Sequence, residues 1–170
     1  MEKNEHTKRL FNEKDENIKK VEKNDSYPTG VLPSQVLRDL IDEKIIFSLE
    51  DKIEESQIQP ASLDLRLGKY AYRVRASFLP GEDYTVMKKI DLLGMHKIDL
   101  EKGNVLEKGA VYIVPLQESV ALTSRLSGVA NPKSSIGRVD VFTRLITDKG
   151  TEFDRVSEGY KGLLYAEISP

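Results

Sequence analysis

From residue 58 onward the chain alternates apolar and polar residues with a period of two, in short runs broken by turn formers. Leu63, Leu65 and Leu67 alternate with Ser62, Asp64 and Arg66, and Tyr70, Tyr72 and Val74 alternate with Ala71, Arg73 and Arg75. Successive side chains of a strand point to opposite faces, so each run predicts a strand with one face towards a core. Further runs lie at Val111–Leu116, Val120–Leu122, Val139–Ile146 and Leu163–Ile168, with Gly, Pro, Asn and Asp between them. After residue 50 no strong helical stripe is visible. Ahead of the strands one helix is predicted. Pro33 suits a first helical position. Val36, Leu37, Leu40 and Ile41 then share a face, and Arg38, Asp39, Asp42 and Glu43 cover the other. One helix followed by many short strands predicts a mainly β fold, a distorted barrel or jelly roll.

The length of 170 residues, 39% of them hydrophobic and 32% charged, fits one domain with one core and a well-solvated surface. The net charge of −2 gives no global attraction to nucleic acid or anionic lipid. No apolar run reaches the length of a membrane span, and no signal-peptide centre is visible, so a cytoplasmic protein is expected. The absence of cysteine excludes thiol nucleophiles and the His/Cys/Cys or Cys₃ zinc site of many nucleobase deaminases. No zinc is therefore expected. Residues 1–29 are dense in Lys, Glu, Asp and Asn and read as a charged, mobile extension, with a docking arm as the other reading. The domain proper is expected over 30–170.

Two stretches carry the residues of chemistry. Asn131-Pro132-Lys133-Ser134-Ser135-Ile136-Gly137-Arg138 gathers two hydroxyls, two cations and a glycine in a turn. Phosphate binding wants that mixture, although the Walker order is absent and a plain polar turn has the same composition. In Gly159-Tyr160-Lys161-Gly162-Leu163-Leu164-Tyr165-Ala166-Glu167-Ile168, period two puts Leu163, Tyr165 and Glu167 on one face and Leu164, Ala166 and Ile168 on the other. A carboxylate inside an apolar strand is costly unless paired. Glu167 is thus either an acid/base residue in an apolar setting or a rim glutamate bridged to an arginine. Asp64 and Arg66 share a strand face and could form a structural ion pair or line a polar site, the structural role being favoured. His96, in the loop-like Gly94–Lys97, is assigned no role.

The blocks IQPASLDLRLG, NPKSSIGR and GYKGLLYAEIS, in that order, resemble the signature blocks of the dCTP deaminase family, and VLPSQVLRDLI resembles its leading helix. AYRVRASFLPGEDY and the stretch from Val141 to Pro170 resemble the first domain of the tandem bacterial form. The resemblance implies a dUTPase-like distorted barrel. It implies hydrolysis of a cyclic amidine C–N bond, turning dCTP and water into dUTP and ammonia in pyrimidine deoxynucleotide metabolism. It also implies magnesium on the triphosphate and a homotrimer, or pseudo-trimer, with sites between subunits. Glu167 takes the place of the acid/base glutamate, Ser134 of a serine ordering the water and ring edge, and Arg138 of an arginine stabilising developing charge. Lys133 would meet phosphate oxygens, and Ser135, Ile136 and Gly137 would complete the loop. Tyr165 and Ala166 would offer backbone groups to the base, and Tyr160 would pack near the sugar.

Many members read Asp-Pro-Gly before the aromatic residue, where this chain has Ser157-Glu158-Gly159, with Asp154 three residues earlier. Two other readings stay open. One is a dUTP diphosphatase or a bifunctional deaminase and diphosphatase. The other is a non-catalytic fragment or oligomerisation partner, because the chain ends flush with its last strand and reads as cut there. That strand is expected to have an open outer edge, which a downstream second half would complete.

Overall fold

Helix α1 (Ser34–Asp42) forms where the stripe predicts it, with Pro33 one position earlier, at the N-cap, and Leu37 and Leu40 buried. It opens the part of the chain, residues 30–170, that the computed structural model describes. The expected extension at 1–29 lies outside the described residues.

Strand β6 (Val111–Ala121) is the spine of the sheet. Strand β10 (Lys161–Ser169) runs antiparallel along one side of it. On the other side, β4 (Tyr70–Val74) pairs with its beginning and β1 (Ile46–Ser48) with its end. β5 (Gly94–Asp99) extends the sheet beyond β4, and β8 (Phe142–Thr147) extends it beyond β10. The path is β5-β4-β6-β10-β8, with β1 beside β6. Two small antiparallel pairs complete the strands of the described residues: β2 (Ile58–Gln59) with β3 (Ser62–Leu63), and β7 (Gly128–Val129) with β9 (Arg155–Val156). Pro115 is tolerated inside β6 because its donor-less side falls in the gap between β4 and β1. There the Gly68 N–H donates to the Pro115 carbonyl at 2.8 Å, and a Cβ at position 68 would stand 2.6 Å from that oxygen.

Several expectations need correction. The last strand is not an edge: β6 flanks β10 on one side and β8 on the other, and the Pro170 carbonyl accepts from the Gly109 N–H at 2.9 Å. The two runs expected at Val111–Leu116 and Val120–Leu122 are one strand that ends at Ala121, because Glu118 and Ser119 pair with β1, although the pairing with β10 shifts register between Leu163 and Tyr165. A second helix, α2 (Val86–Leu93), follows the Thr85 N-cap, whose hydroxyl accepts from the Lys88 N–H. Its buried face is only Val86 and Ile90, too narrow a stripe to stand out among the charges around it. The run Leu63–Leu67 is a strand only at its start, and Leu65 and Leu67 are exposed. A side chain, Glu118, takes the Arg66 backbone N–H that a ladder would use. His96 lies in β5 opposite Arg73 and not in a loop.

The sheet has a different core on each face. The larger core gathers α1, Val114, Leu145, Leu164, Ala166 and Ile168. The smaller gathers Val74, Val86, Ile90, Ile113, Ile146 and Tyr165, with Tyr72, Phe78, Phe153 and Leu163 packed against them. Strand β10 therefore splits its side chains between the faces as period two predicts, and Glu167 shares the face of Tyr165.

Candidate active site

Glu167 sits in an interior strand of the sheet, between β6 and β8, and is 1% exposed. β10 pairs it with Ile113 of β6 and Arg144 of β8. One carboxylate oxygen, Oε1, accepts three hydrogen bonds: from Arg144 Nη2 at 2.6 Å, Arg144 Nε at 3.2 Å and the Ser77 hydroxyl at 3.1 Å. Arg144 Nη2 also donates to Ser77 Oγ at 2.8 Å, which closes a ring of three groups. The guanidinium carbon lies 3.6 Å from the Phe153 ring centroid and 5.0 Å from that of Phe142, within cation–π reach of both. The other oxygen, Oε2, is buried and has no hydrogen-bond partner among the described residues. The carboxylate is bridged to an arginine, as one of the two readings had it, but it lies buried in an apolar face and not at a rim.

A second glutamate, Glu118, is fully buried in β6. Its Oε1 accepts from Gln57 Nε2 at 2.9 Å and Arg66 Nε at 2.8 Å, and its Oε2 from the Arg66 backbone N–H at 2.8 Å. Asp64 and Arg66 do not pair with each other, as the sequence reading had them. Arg66 turns to Glu118, and Asp64 accepts from Lys133 Nζ at 2.6 Å and Gln59 Nε2 at 3.2 Å.

The loop at 131–138 winds into the single turn α3 (Ser134–Gly137), tied by Ile136 N–H to the Lys133 carbonyl at 2.8 Å. Every residue from Asn131 to Arg138 is exposed, Ser134, Ser135, Gly137 and Arg138 included. Neither Ser134 nor Arg138 is among the groups bonded to Glu167. Ile136, Val139 and Phe142, apolar and beside the same turn, are exposed as well.

Tyr160 is half-buried and its hydroxyl is occupied, donating to the Leu163 carbonyl at 2.6 Å and accepting from the Asp148 N–H at 3.1 Å. Burial pushes the ionisation of Tyr160 and Tyr165 well above the ordinary tyrosine range. Tyr165 and Ala166 are buried, with paired strands on both sides. Asp154 Oδ1 accepts from the Leu145 N–H at 2.7 Å, so this carboxylate ties a loop to β8. Ser157 and Glu158 line a polar cavity of about 480 Å³ with Ser127, Glu152 and Arg155.

Sequence reasoning missed Ser77, Arg144 and Glu118. The signal available for Arg144 was a lone cation on the face of Phe142 and Ile146, in a strand near the lone anion of Leu163–Ile168. Only the register that sets Arg144 opposite Glu167 makes it a partner.

The family described as the 2′-deoxycytidine 5′-triphosphate deaminase (DCD) N-terminal domain matches residues 28–170. The chain belongs to this family. A dCTP deaminase, dUMP-forming, of Streptomyces coelicolor is 27% identical over 119 residues, 70% of this chain and 59% of that protein. One of the same name from Acidothermus cellulolyticus is 29% identical over 93 residues, 55% of this chain and 48% of that protein. The chain spans about half the length of these relatives. The crystal structure of 2′-deoxycytidine 5′-triphosphate deaminase from Agrobacterium tumefaciens superposes with a TM-score of 0.79 at 53% identity, covering 83% of this chain and 42% of that one. The mainly β, dUTPase-like fold expected for a dCTP deaminase family member is the fold observed. Among the described residues no helix is long and apolar enough to cross a membrane.

Proposed function

We propose that this domain serves the hydrolytic deamination of dCTP to dUTP and ammonia, with Glu167 as the acid/base residue. The observation that supports it most is the state of Glu167: buried, anchored through one oxygen, and with the other oxygen free of any partner among the described residues. A water held at Oε2 would lose a proton to the carboxylate as its oxygen attacks cytosine C4. The same proton would then move towards the leaving nitrogen, so the carboxylate ends as it began.

Ser134 would order the water and the ring edge, Arg138 would face the developing charge, and Lys133 with Ser135 and the turn would take phosphate oxygens. The exposure of that loop, and its separation from the Glu167 hydrogen bonds, favour sites completed between copies of the domain, as in a homotrimer or pseudo-trimer. Magnesium would arrive on the triphosphate's own oxygens. Among the described residues no group of three or more His, Cys, Asp or Glu side chains is placed to hold a metal ion.

A second reading, a bifunctional enzyme that continues to dUMP, is favoured by the dUMP-forming names of both curated relatives. Ammonia release from dCTP, with the nucleotide product separated, tests both. Glu167→Gln should lower ammonia release by about 10²–10⁴-fold while nucleotide still binds. Near wild-type release by that variant removes Glu167 from the chemistry. dUMP and pyrophosphate as products, in place of dUTP, would select the bifunctional reading.

A further inference from the structure

Glu167 is anchored asymmetrically. Its three hydrogen bonds converge on Oε1, two from one guanidinium and one from a hydroxyl that the same guanidinium holds. Buried polar atoms are almost always paired, and a carboxylate oxygen without a donor is the costliest kind to leave so. Three buried side-chain atoms lack partners among the described residues, and Oε2 of Glu167 is the only carboxylate oxygen among them. Arg144 does not owe its place to Glu167 alone, because it also rests against Phe153. Ser77, which completes the ring, is exposed, so the carboxylate lies just beneath the surface there. We infer that Arg144 and Ser77 are positioning residues: they saturate Oε1, fix the carboxyl plane, and leave Oε2 as the oxygen that exchanges the proton.

The proposal rests on the deaminase reading for what the proton does, but the anchoring can be read without it. β6 places apolar Ile113 beside Glu167, β8 places Arg144, and the segment after β4 places Ser77. The same face also carries Tyr70, Tyr72 and Tyr165, burial raises the ionisation of Tyr72 and Tyr165, and Lys97 of β5 is turned to the Tyr70 and Tyr72 rings, 3.3 and 6.0 Å from their centroids. Arg144 is thus the cation in contact with the carboxylate. An adjacent cation favours the ionised form of a carboxylate.

Three measurements test this. In an isotope-labelled chain, the Arg144 Nε–H resonance should shift on Glu167→Gln. In the pH–rate profile of ammonia release, Arg144→Gln should move the acid limb to higher pH. It should also cut kcat at least about tenfold with KM changed less than about twofold, because binding contacts are untouched while the reacting oxygen swings. Arg144→Lys, which keeps the charge without the fork, should restore the acid limb and only part of kcat. Ser77→Ala should lower kcat severalfold with the limb unmoved, and stands in should Arg144→Gln fail to fold. An Arg144 resonance indifferent to Glu167→Gln overturns the anchoring whatever the activity. Wild-type kcat and an unmoved limb in Arg144→Gln overturn the positioning role. A wild-type protein that releases no ammonia, yet shows the Glu167-dependent resonance, sinks the deaminase reading and upholds the anchoring.

Discussion

Glu118 and Glu167 stand on neighbouring strands, each sealed from solvent and each bridged to an arginine, yet the two sites are built to opposite ends. At Glu118 both oxygens are met, by Gln57, the Arg66 side chain and the Arg66 backbone. These bonds pin the irregular 57–68 stretch to the spine strand, and no acceptor is left over on the carboxylate. At Glu167 the same number of bonds falls on one oxygen. A fully satisfied buried network rigidifies a fold, whereas a partly satisfied one leaves a group able to engage something else. The difference separates a structural carboxylate from a reactive one where burial alone cannot.

Replacing each glutamate by glutamine breaks the comparison open most widely. At 118 the new amide must face a donor whichever way it turns, since donors meet both oxygens. Glu118→Gln should therefore cost about 2–3 kcal/mol in urea denaturation. At 167 the amide can occupy the Oε2 position, which no donor faces, while its carbonyl keeps the Arg144 bonds. Glu167→Gln should cost under about 1 kcal/mol while removing ammonia release. Equal losses of stability at the two positions would show that the empty oxygen has no meaning.

An exposed ion pair sets the next scale. Lys133 and Asp64 lie 2.6 Å apart with side chains 64% and 31% exposed, a setting in which a pair contributes about 0–1 kcal/mol. Lys133→Ala should leave stability nearly unchanged and weaken triphosphate binding, and added salt should mimic it. Asp64→Asn should tighten triphosphate binding about two- to threefold, because the lysine no longer has a competing anion. Tighter binding absent in Asp64→Asn, measured calorimetrically at low salt, would mean that Lys133 does not meet the phosphates.

The contrast between these sites also marks what was legible in the sequence. Period two placed Glu167 and Tyr165 on one face of β10 and Ala166 on the other, because alternation depends on the strand alone. The leading helix was legible for the same reason. Arg144 and Ser77 were not, since they reach Glu167 across 23 and 90 residues of chain through a register that no local pattern encodes. Leu65 and Leu67 misled, because alternation reports which residues would share a face and not whether that face is covered. The expectation of an open last edge failed because β8, earlier in the chain, returns to the far side of β10 and leaves that strand interior to the sheet.

Asp148 offers the finest test, a partly buried carboxylate with a hydrogen bond and no bridging cation among its described contacts. Val86, the first residue of α2, donates its N–H to Asp148 Oδ1 at 2.7 Å. Burial raises the ionisation of Asp148 above the usual aspartate value, and the Val86 bond only partly offsets it. The folded state therefore holds this proton to higher pH than the unfolded state does. The contribution to stability is complete below the unfolded value and is lost as pH rises through the folded one. Asn at 148 keeps the Oδ1 acceptor for Val86 and has no charge to bury. Asp148→Asn should match wild type in urea denaturation below about pH 4 and exceed it by about 0.5 kcal/mol at pH 7. The sign is opposite to that at Glu118, where a glutamine amide would face a donor at either oxygen. A variant less stable than wild type at pH 7, and equal to it in acid, would show that the Val86 bond outweighs burial at Asp148.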